Sequence, residues 1–541
     1  MAVKDETSIE HIIETLGDLN VSGTVGSDSY ESEPISSSLP TALIPETSSS
    51  SSVASTSGVY SDDDGLLQSS QSSQSSQYEK KYDQIRKLID ENKNILLYGP
   101  GGTGKTYMLT QYIYQYAARK GIRVDCTATT GIAALGLNNP DTKTTGRTFH
   151  GWAGIGLAQH TAERLFQSVR SNRHAKSRWQ YAQLLIIEEI SMYGGSLLSK
   201  VDYIARRIRA LKNPVNLTKP FGGIQVILCG DFLQLPPVKD EWIFQTVEWE
   251  NLKLYPVVFQ EPKRYPDIEF YGLLYRIRSG EHTEEDIELL RSRASAYRQL
   301  IKILSTRDTT NVIKPTMLYP LKKDVEVENL LELDRLTTPC YTFEARDDIR
   351  LLNKDASIEK YELMLDTTPK VVKLKVGAQV MLKTNLDVSA GLVNGSRGVV
   401  TEITAYEDYN EKHMLNTEKV NINDIDYVVN VRFINGQRCA LIRQTWEIHD
   451  EDCIARRTQI PLVLAWSLSI HKVQGVTLDY AAIDMANCFE YGQVYVALSR
   501  IRQLKGLFLK SFAASKITSS KHAIAYSKHI EDCYFENKPL N

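Results

Sequence analysis

The sequence predicts an α/β protein with two parallel-sheet domains, the second interrupted by a small antiparallel β module, and a disordered N-terminal tail ahead of both. Three observations lead there. Two separate sets of short apolar runs alternate with segments of helical periodicity, as buried parallel strands and their crossover helices do. From roughly Val376 to Asp452, β-branched residues and the turn pairs Asn394-Gly395 and Asn435-Gly436 signal hairpins. Residues 1–77 are Ser-rich and acidic and end in a Gln/Ser repeat from Gln68 to Gln77, with too little apolar material for a core.

Within the tail (1–77) one element stands out. Ile9, Ile12, Ile13, Leu16 and Leu19 fall at helical spacing and would suit a protein partner. The first α/β domain, 78–255, takes its strands from Ile95–Tyr98, Val124–Ala128, Leu184–Ile187 and Ile224–Cys229. The second takes Thr316–Leu318, Leu462–Trp466, Ala481–Met485 and Leu507–Leu509. It is divided into 256–375 and 456–541 by the inserted module, 376–455.

The composition excludes several classes. The chain has 541 residues, 42% of them hydrophobic, and no apolar run reaches the ~18 residues of a membrane span. No basic stretch leads into an apolar one at the N-terminus, so the expectation is a soluble, intracellular protein with no membrane partner. The seven cysteines are scattered, without the close pairs of a zinc site or redox dithiol, and read as buried thiols. The net charge is −3, but residues 1–77 hold twelve acids against Lys4 alone, which leaves residues 78–541 with eight more bases than acids. That excess permits a polyanionic partner without demanding one.

Gly99-Pro100-Gly101-Gly102-Thr103-Gly104-Lys105-Thr106 follows the first strand directly. Behind it Met108, Leu109, Tyr112, Ile113, Tyr116 and Ala117 share one helical face, and Gly121 supplies the stop. Between a strand and a helix, this spacing wraps backbone N–H groups around nucleotide phosphates at a helix N-terminus. Lys105 then reaches the β/γ oxygens, and Thr106 offers a hydroxyl to Mg²⁺. Hydrolysis further requires acids at the end of a neighbouring strand. Leu184-Leu185-Ile186-Ile187-Glu188-Glu189 provides them, with Glu188 as the metal-side acid and Glu189 as the base. The next strand ends in Gly230-Asp231-Phe232-Leu233-Gln234-Leu235-Pro236-Pro237, where Gln234 is placed to sense the γ-phosphate.

Further stretches complete an ordered set: Thr129-Thr130-Gly131-Ile132-Ala133-Ala134, Thr148-Phe149-His150-Gly151-Trp152, Ile204-Ala205-Arg206-Arg207-Ile208-Arg209 followed by Pro220-Phe221-Gly222-Gly223-Ile224-Gln225, Leu392-Val393-Asn394-Gly395-Ser396-Arg397-Gly398, Ser469-Ile470-His471-Lys472-Val473-Gln474-Gly475, and Val494-Tyr495-Val496-Ala497-Leu498-Ser499-Arg500. In order and spacing, from about Tyr82 to the C-terminus, the chain resembles the Pif (petite integration frequency) family of superfamily-one DNA helicases, which move 5′-to-3′ on single strands. The resemblance implies two RecA-like domains, the second carrying an inserted β-barrel, with ATP and Mg²⁺ as cofactors and single-stranded and forked DNA as partners. It implies that Gln84 recognises the adenine and that Arg264 and Arg500 act as arginine fingers on the γ-phosphate. It places Thr130, Phe149, His150, Trp152, His471, Lys472 and Gln474 along the DNA, the aromatic rings offering faces to bases. The working unit is expected to be a monomer, in the nucleus or at a site of viral DNA replication; the acid-rich start does not support a mitochondrial presequence.

One departure bears on activity. The family pattern has Asp-Glu where this chain has Glu188-Glu189, and Mg²⁺ tolerates little distortion, so the ATPase is expected to work but to be slowed. The alternative reading is a DNA-binding clamp or scaffold whose ATPase is impaired by Glu188.

Overall fold

The computed structural model describes residues 65–540 apart from 130–132, 307–313, 352–367, 393–394, 411–414, 416–423, 450–452 and positions 135, 140, 143, 157, 385, 388, 389 and 391, with the backbone alone for 65–77, 306, 448–449 and 453. The candidate helix Ile9–Leu19 lies outside these residues. The first described helix, Gly65–Asp90, begins within the stretch assigned to the tail and takes in the Gln/Ser repeat.

The first sheet has strands β1 (Ile95–Tyr98), β2 (Val124–Ala128), β3 (Gly146–Thr148), β4 (Leu184–Glu188), β5 (Gln225–Gly230) and β6 (Tyr255–Val258), all parallel, in the order β3-β2-β4-β5-β1-β6. The apolar runs expected as strands form it because alternate side chains feed two separate cores. Leu96, Tyr98, Leu185, Ile187 and Leu228 pack on one face, and Ile95, Leu97, Ile186, Ile227 and Cys229 on the other. Register then aligns the carboxyl ends: Tyr98 lies opposite Gly230, and Glu188 opposite Cys229 and Ala128. The segments that follow β1, β4 and β5 therefore emerge side by side, the edge where open α/β sheets bind ligands.

The second parallel sheet holds β7 (Thr316–Tyr319), then β18 (Ser467–Ser469), β19 (Ala481–Asp484) and β20 (Leu507–Ser511), in the order β18-β7-β19-β20. One expectation is corrected. The apolar run Leu462–Trp466 is not a strand of this sheet; its first part, β17 (Leu462–Leu464), pairs antiparallel with β11 (Gln379–Leu382) in the inserted module, and the parallel strand begins at Ser467. The reason is polar satisfaction. Ser467 and Ser469 are buried, and Ser467 donates its hydroxyl to Val325 O at 2.9 Å and its N–H to Asn329 Oδ1 at 3.0 Å, so a polar strand sits in the interior without loss.

The antiparallel strands reach beyond 376–455 on both sides. A two-stranded sheet joins β8 (Tyr341–Glu344) to β10 (Val371–Leu374). A three-stranded one joins β9 (Arg346–Leu351), β15 (Gln444–His449) and β16 (Cys453–Gln459). A five-stranded one joins β11 and β17 to β12 (Arg397–Ala405), β13 (Tyr427–Phe433) and β14 (Arg438–Leu441), with Asn435-Gly436 turning between the last two. Arg397, buried, ties this module to the second parallel sheet by donating to Thr316 Oγ1 at 2.7 Å.

Two elements join the lobes. The helix Ile268–Ser279 belongs to the core of the second lobe, yet its Arg278 meets Asp231 of the first in an ion pair of 2.8 Å that is buried on both sides. The helix Lys521–Phe535, expected to belong to the second domain, packs instead on the first sheet, where Ala523, Ile530 and Cys533 enter the first core and Tyr98 donates its hydroxyl to Ser527 Oγ at 2.8 Å. Among the described residues no helix is long and apolar enough to cross a membrane.

Candidate active site

The Gly-rich loop leaves β1 with backbone that only glycine adopts easily. Gly99 has φ +146°, and a Cβ there would lie 2.0 Å from Phe259 O; Gly102 has φ +82°, and a Cβ would meet Arg264 Cβ and the Tyr265 ring at 2.8 Å. A helix starts at Lys105 and continues to Lys120 through a π-helical stretch, Met108–Ile113, before Gly121 ends it in the left-handed conformation. Lys105 Nζ donates to Gly99 O at 2.7 Å and to Pro100 O at 2.8 Å, so it lies folded along the loop that would hold the phosphates. Thr103 donates to Pro100 O at 2.9 Å, which closes the loop on itself. Gln84 is half-buried on the helix Gly65–Asp90, which reaches the loop through Tyr78, whose hydroxyl donates to Gly104 O at 2.9 Å.

The acids stand across from it. Thr106 donates its hydroxyl directly to Glu188 Oε1, so a strand-end carboxylate and a helix-start hydroxyl face each other. Burial, followed by repulsion from Glu189, holds the Glu188 carboxyl well above the usual carboxylate range. Glu189 leaves the strand at φ 57°, ψ 48°, a left-handed conformation costly for a side chain with a Cβ. Gln474 donates from Nε2 to Glu189 Oε2 at 2.9 Å, and the same nitrogen lies 3.5 Å from Gln234 Oε1. Glu189, Gln234 and Gln474 thus form one polar chain that crosses between the lobes.

Arg500 is buried, with Nε donating to Val496 O at 2.9 Å and Nη2 to Ser499 Oγ at 2.7 Å. Its Nη2 is 3.3 Å from where a Cβ on Gly101 would stand. Arg264 donates to Ser499 O at 3.1 Å and binds the loop through its own N–H to Gly102 O at 3.0 Å. Burial, then the nearby Arg264 charge, presses the Arg500 guanidinium below its ordinary range. A cavity of about 380 Å³ opens beside this group, lined from the first lobe by Gly102, Gly104, Lys105, Thr106 and Tyr107, with Lys263 and Arg264, and from the second by Thr477 and Arg502.

Lys105, Thr106, Glu188, Glu189, Gln234, Arg264 and Arg500 thus gather around the loop while Gln84 stays on the neighbouring helix, and two tyrosines join the group. Tyr495 accepts the Gly101 N–H on its hydroxyl at 3.1 Å, and Tyr265 donates its hydroxyl to Ser499 O at 2.8 Å. Both rings lie within or beside motif stretches already singled out, but nothing in the order of residues signals which backbone atom a tyrosine will reach.

The expected DNA strip fares differently. Thr130 lies outside the described residues. Phe149 and Trp152 are 0% and 1% exposed, and neither offers a face to a base. Trp152 packs against Trp179 with centroids 4.6 Å apart and donates its indole N–H to Asp125 at 3.0 Å, while Phe149 packs edge-on against Tyr193. These rings fill the first core because they lie on the inner face of the short helix Phe149–Ala153. His150 lies half-buried, and burial lowers its imidazole pKa. Gln474 is 1% exposed at the nucleotide acids rather than on an outer strip. His471 meets Glu490 at 3.0 Å, and Lys472 is exposed.

A phosphate loop and its acids on one parallel sheet, closed over by arginines carried on a second, define a P-loop nucleotide-binding protein with its site split between two lobes. The family models agree in detail: PIF1-like helicase matches residues 71–247, and the 2B domain of DNA helicase Pif1 matches residues 366–403. A crystal structure of Pif1 helicase from Candida albicans is 31% identical and superposes with a TM-score of 0.67, over 83% of this chain and 98% of that one. The ATP-dependent DNA helicase PIF1 of Xenopus laevis is 33% identical over 453 residues, 83% of this chain. A Pif1 helicase from Bacteroides, solved in complex with ADP-AlF3 and ssDNA, is 25% identical with a TM-score of 0.54, over 85% of this chain and 99% of that one. The chain belongs to the PIF1-like helicase family. It spans 63% of the length of the frog relative.

Proposed function

We propose that this chain is an ATP-dependent DNA helicase that moves 5′-to-3′ along single-stranded DNA and opens duplex at forks. The observation that carries the reading is the split nucleotide site: Lys105, Thr106, Glu188 and Glu189 from one lobe face Arg500, Thr477 and Gln474 from the other, with Arg264 between them. Hydrolysis at such a site is complete only when the lobes close, and closure moves whatever strand both lobes hold.

In this reading the loop N–H groups and Lys105 bind the triphosphate, and Glu189, its carboxylate held by Gln474 Nε2 at 2.9 Å, orients the attacking water and takes its proton. Gln234 reports the γ-phosphate to Gln474. Arg264 and Arg500 stabilise charge on the transferred phosphoryl oxygens. The Thr106 hydroxyl and Glu188 carboxylate fit Mg²⁺, which commonly takes one or two protein oxygens plus substrate phosphates; among the described residues no group of three His, Cys, Asp or Glu side chains gathers into a closed metal cage. Bound there, the ion would neutralise charge between the β- and γ-phosphates. Gln84 and the Tyr78 helix are assigned to the adenine side.

The relatives support this by name, and the Bacteroides protein binds both a nucleotide analogue and ssDNA. The test is ATP-dependent unwinding of duplexes with either a 5′ or a 3′ tail, with Lys105→Ala as the blank. Unwinding of the 5′-tailed substrate alone, with ATP turnover stimulated by single strands, is the expected result. DNA binding without stimulated turnover would establish the clamp reading instead.

A further inference from the structure

We propose that Phe489 and Tyr491 form a base-stacking platform for single-stranded DNA on the second lobe, beside His471 and Lys472. This rests on the DNA reading above. With Phe149 and Trp152 in the core, the expected strip has lost two of its rings, and a groove that binds any sequence needs aromatic faces as well as cations.

Phe489 and Tyr491 are 57% and 54% exposed. Solitary exposed aromatics are ordinary, but this pair sits two residues apart on one loop. The loop is held rigid. Gln493 Oε1 accepts the N–H groups of Phe489 at 2.9 Å and Glu490 at 3.4 Å. Gly492 donates to Thr518 O at 2.9 Å, and its φ of +69° brings it against the first lobe, where a Cβ would stand 2.5 Å from Gln234 O. Rings presented on a stiff loop lose little entropy when a base stacks on them.

Placement selects the ligand. Glu490, between the two rings, meets His471 at 3.0 Å, a contact that joins the loop to the segment carrying Lys472. That segment carries the exposed Lys472, whose charge interacts with that of Lys383, so cations able to meet phosphates lie on the segment tied to the ring loop. The same loop runs into Tyr495, which holds the Gly101 N–H at 3.1 Å. A base seated on Phe489 is therefore one short loop away from both Gln234 and the phosphate loop.

The test is fluorescence anisotropy of a labelled oligothymidine of about 16 nucleotides titrated with the full chain, without nucleotide and over a range of salt. Phe489→Ala is expected to weaken binding about tenfold and Tyr491→Ala several-fold, while Phe489→Tyr stays within about twofold, since any aromatic face serves. The salt slope should not change in these variants, whereas Lys472→Ala should lower it by about one. ATP turnover without DNA should be unchanged in Phe489→Ala, and half-maximal stimulation should need about tenfold more oligonucleotide. If Phe489→Ala and Tyr491→Ala both bind like the wild type, or if Phe489→Ala also loses its DNA-free turnover, the platform is refuted. If the wild-type chain itself fails to bind the oligonucleotide, the DNA reading falls and the platform with it.

Discussion

Removing Arg278 is the sharpest way to ask what holds the two lobes together. Its guanidinium is 2% exposed and meets Asp231, 0% exposed, from Nε at 3.0 Å and from Nη2 at 2.8 Å. Nη2 also donates to the Tyr98 hydroxyl at 3.1 Å, which in turn donates to Ser527. In Arg278→Met the Asp231 carboxylate stays in the interior with the Leu233 N–H, 3.1 Å from Oδ1, as its chief remaining partner. Leaving one charge of a buried pair uncompensated costs about 3–5 kcal/mol. At about 2–4 °C per kcal/mol for a unit of 150–250 residues, the midpoint of the transition that includes the first lobe should fall by about 6–20 °C. Asp231→Leu should do similar harm. The double variant should recover most of it, because an apolar pair of similar volume has no charge to bury. Thermal unfolding followed by circular dichroism on all four proteins gives the coupling directly. Single variants within about 1 kcal/mol of wild type, or a double variant equal to the sum of the two, would refute the account of a desolvated pair joining the lobes.

Trp152→Ala should behave as a core truncation, costing about 3–5 kcal/mol by thermal unfolding, while the folded fraction keeps its oligothymidine affinity in anisotropy. Arg500→Ala should lower DNA-stimulated kcat about 10³-fold or more in a steady-state phosphate-release assay, with nucleotide affinity changed far less by equilibrium titration. Glu188→Asp should raise kcat, toward about tenfold, because the shorter arm withdraws from the Thr106 hydroxyl and opens that position to the metal. An unchanged rate in the same assay would mean the longer acid is no handicap.

Much of the first lobe was legible because its signals are local. Four apolar runs in parallel strands, the Gly-rich loop and the Glu188-Glu189 pair each announce themselves within ten residues, and parallel register then brings them to one edge. The second lobe was harder for a physical reason. Leu462–Trp466 is apolar because it feeds the inserted module, whereas the true parallel strand is the polar Ser467–Ser469, made tolerable by Asn329 and Val325 about 140 residues away. Helical spacing places Phe149 and Trp152 on one face but does not say whether that face looks inward. Gln474 was assigned to the DNA strip by resemblance, together with His471 and Lys472, while its own partner, Glu189, lies 285 positions earlier. Arg278 left no trace in the sequence analysis and Tyr495 entered it only as one residue of a motif stretch, since their meaning depends on Asp231 and Gly101 in another part of the chain.

The return of the helix Lys521–Phe535 to the first sheet has a consequence for biogenesis. Tyr98 and the Ser527 it binds are separated by 429 positions. A ribosome adding roughly 5–20 residues per second emits the nucleotide-binding strands roughly 20–90 s before the segment that roofs them. Throughout that interval the greasy surface destined for Ala523, Ile530 and Cys533 faces water bare, the kind of transient apolar exposure that makes unfinished chains prone to aggregate until the last helix arrives.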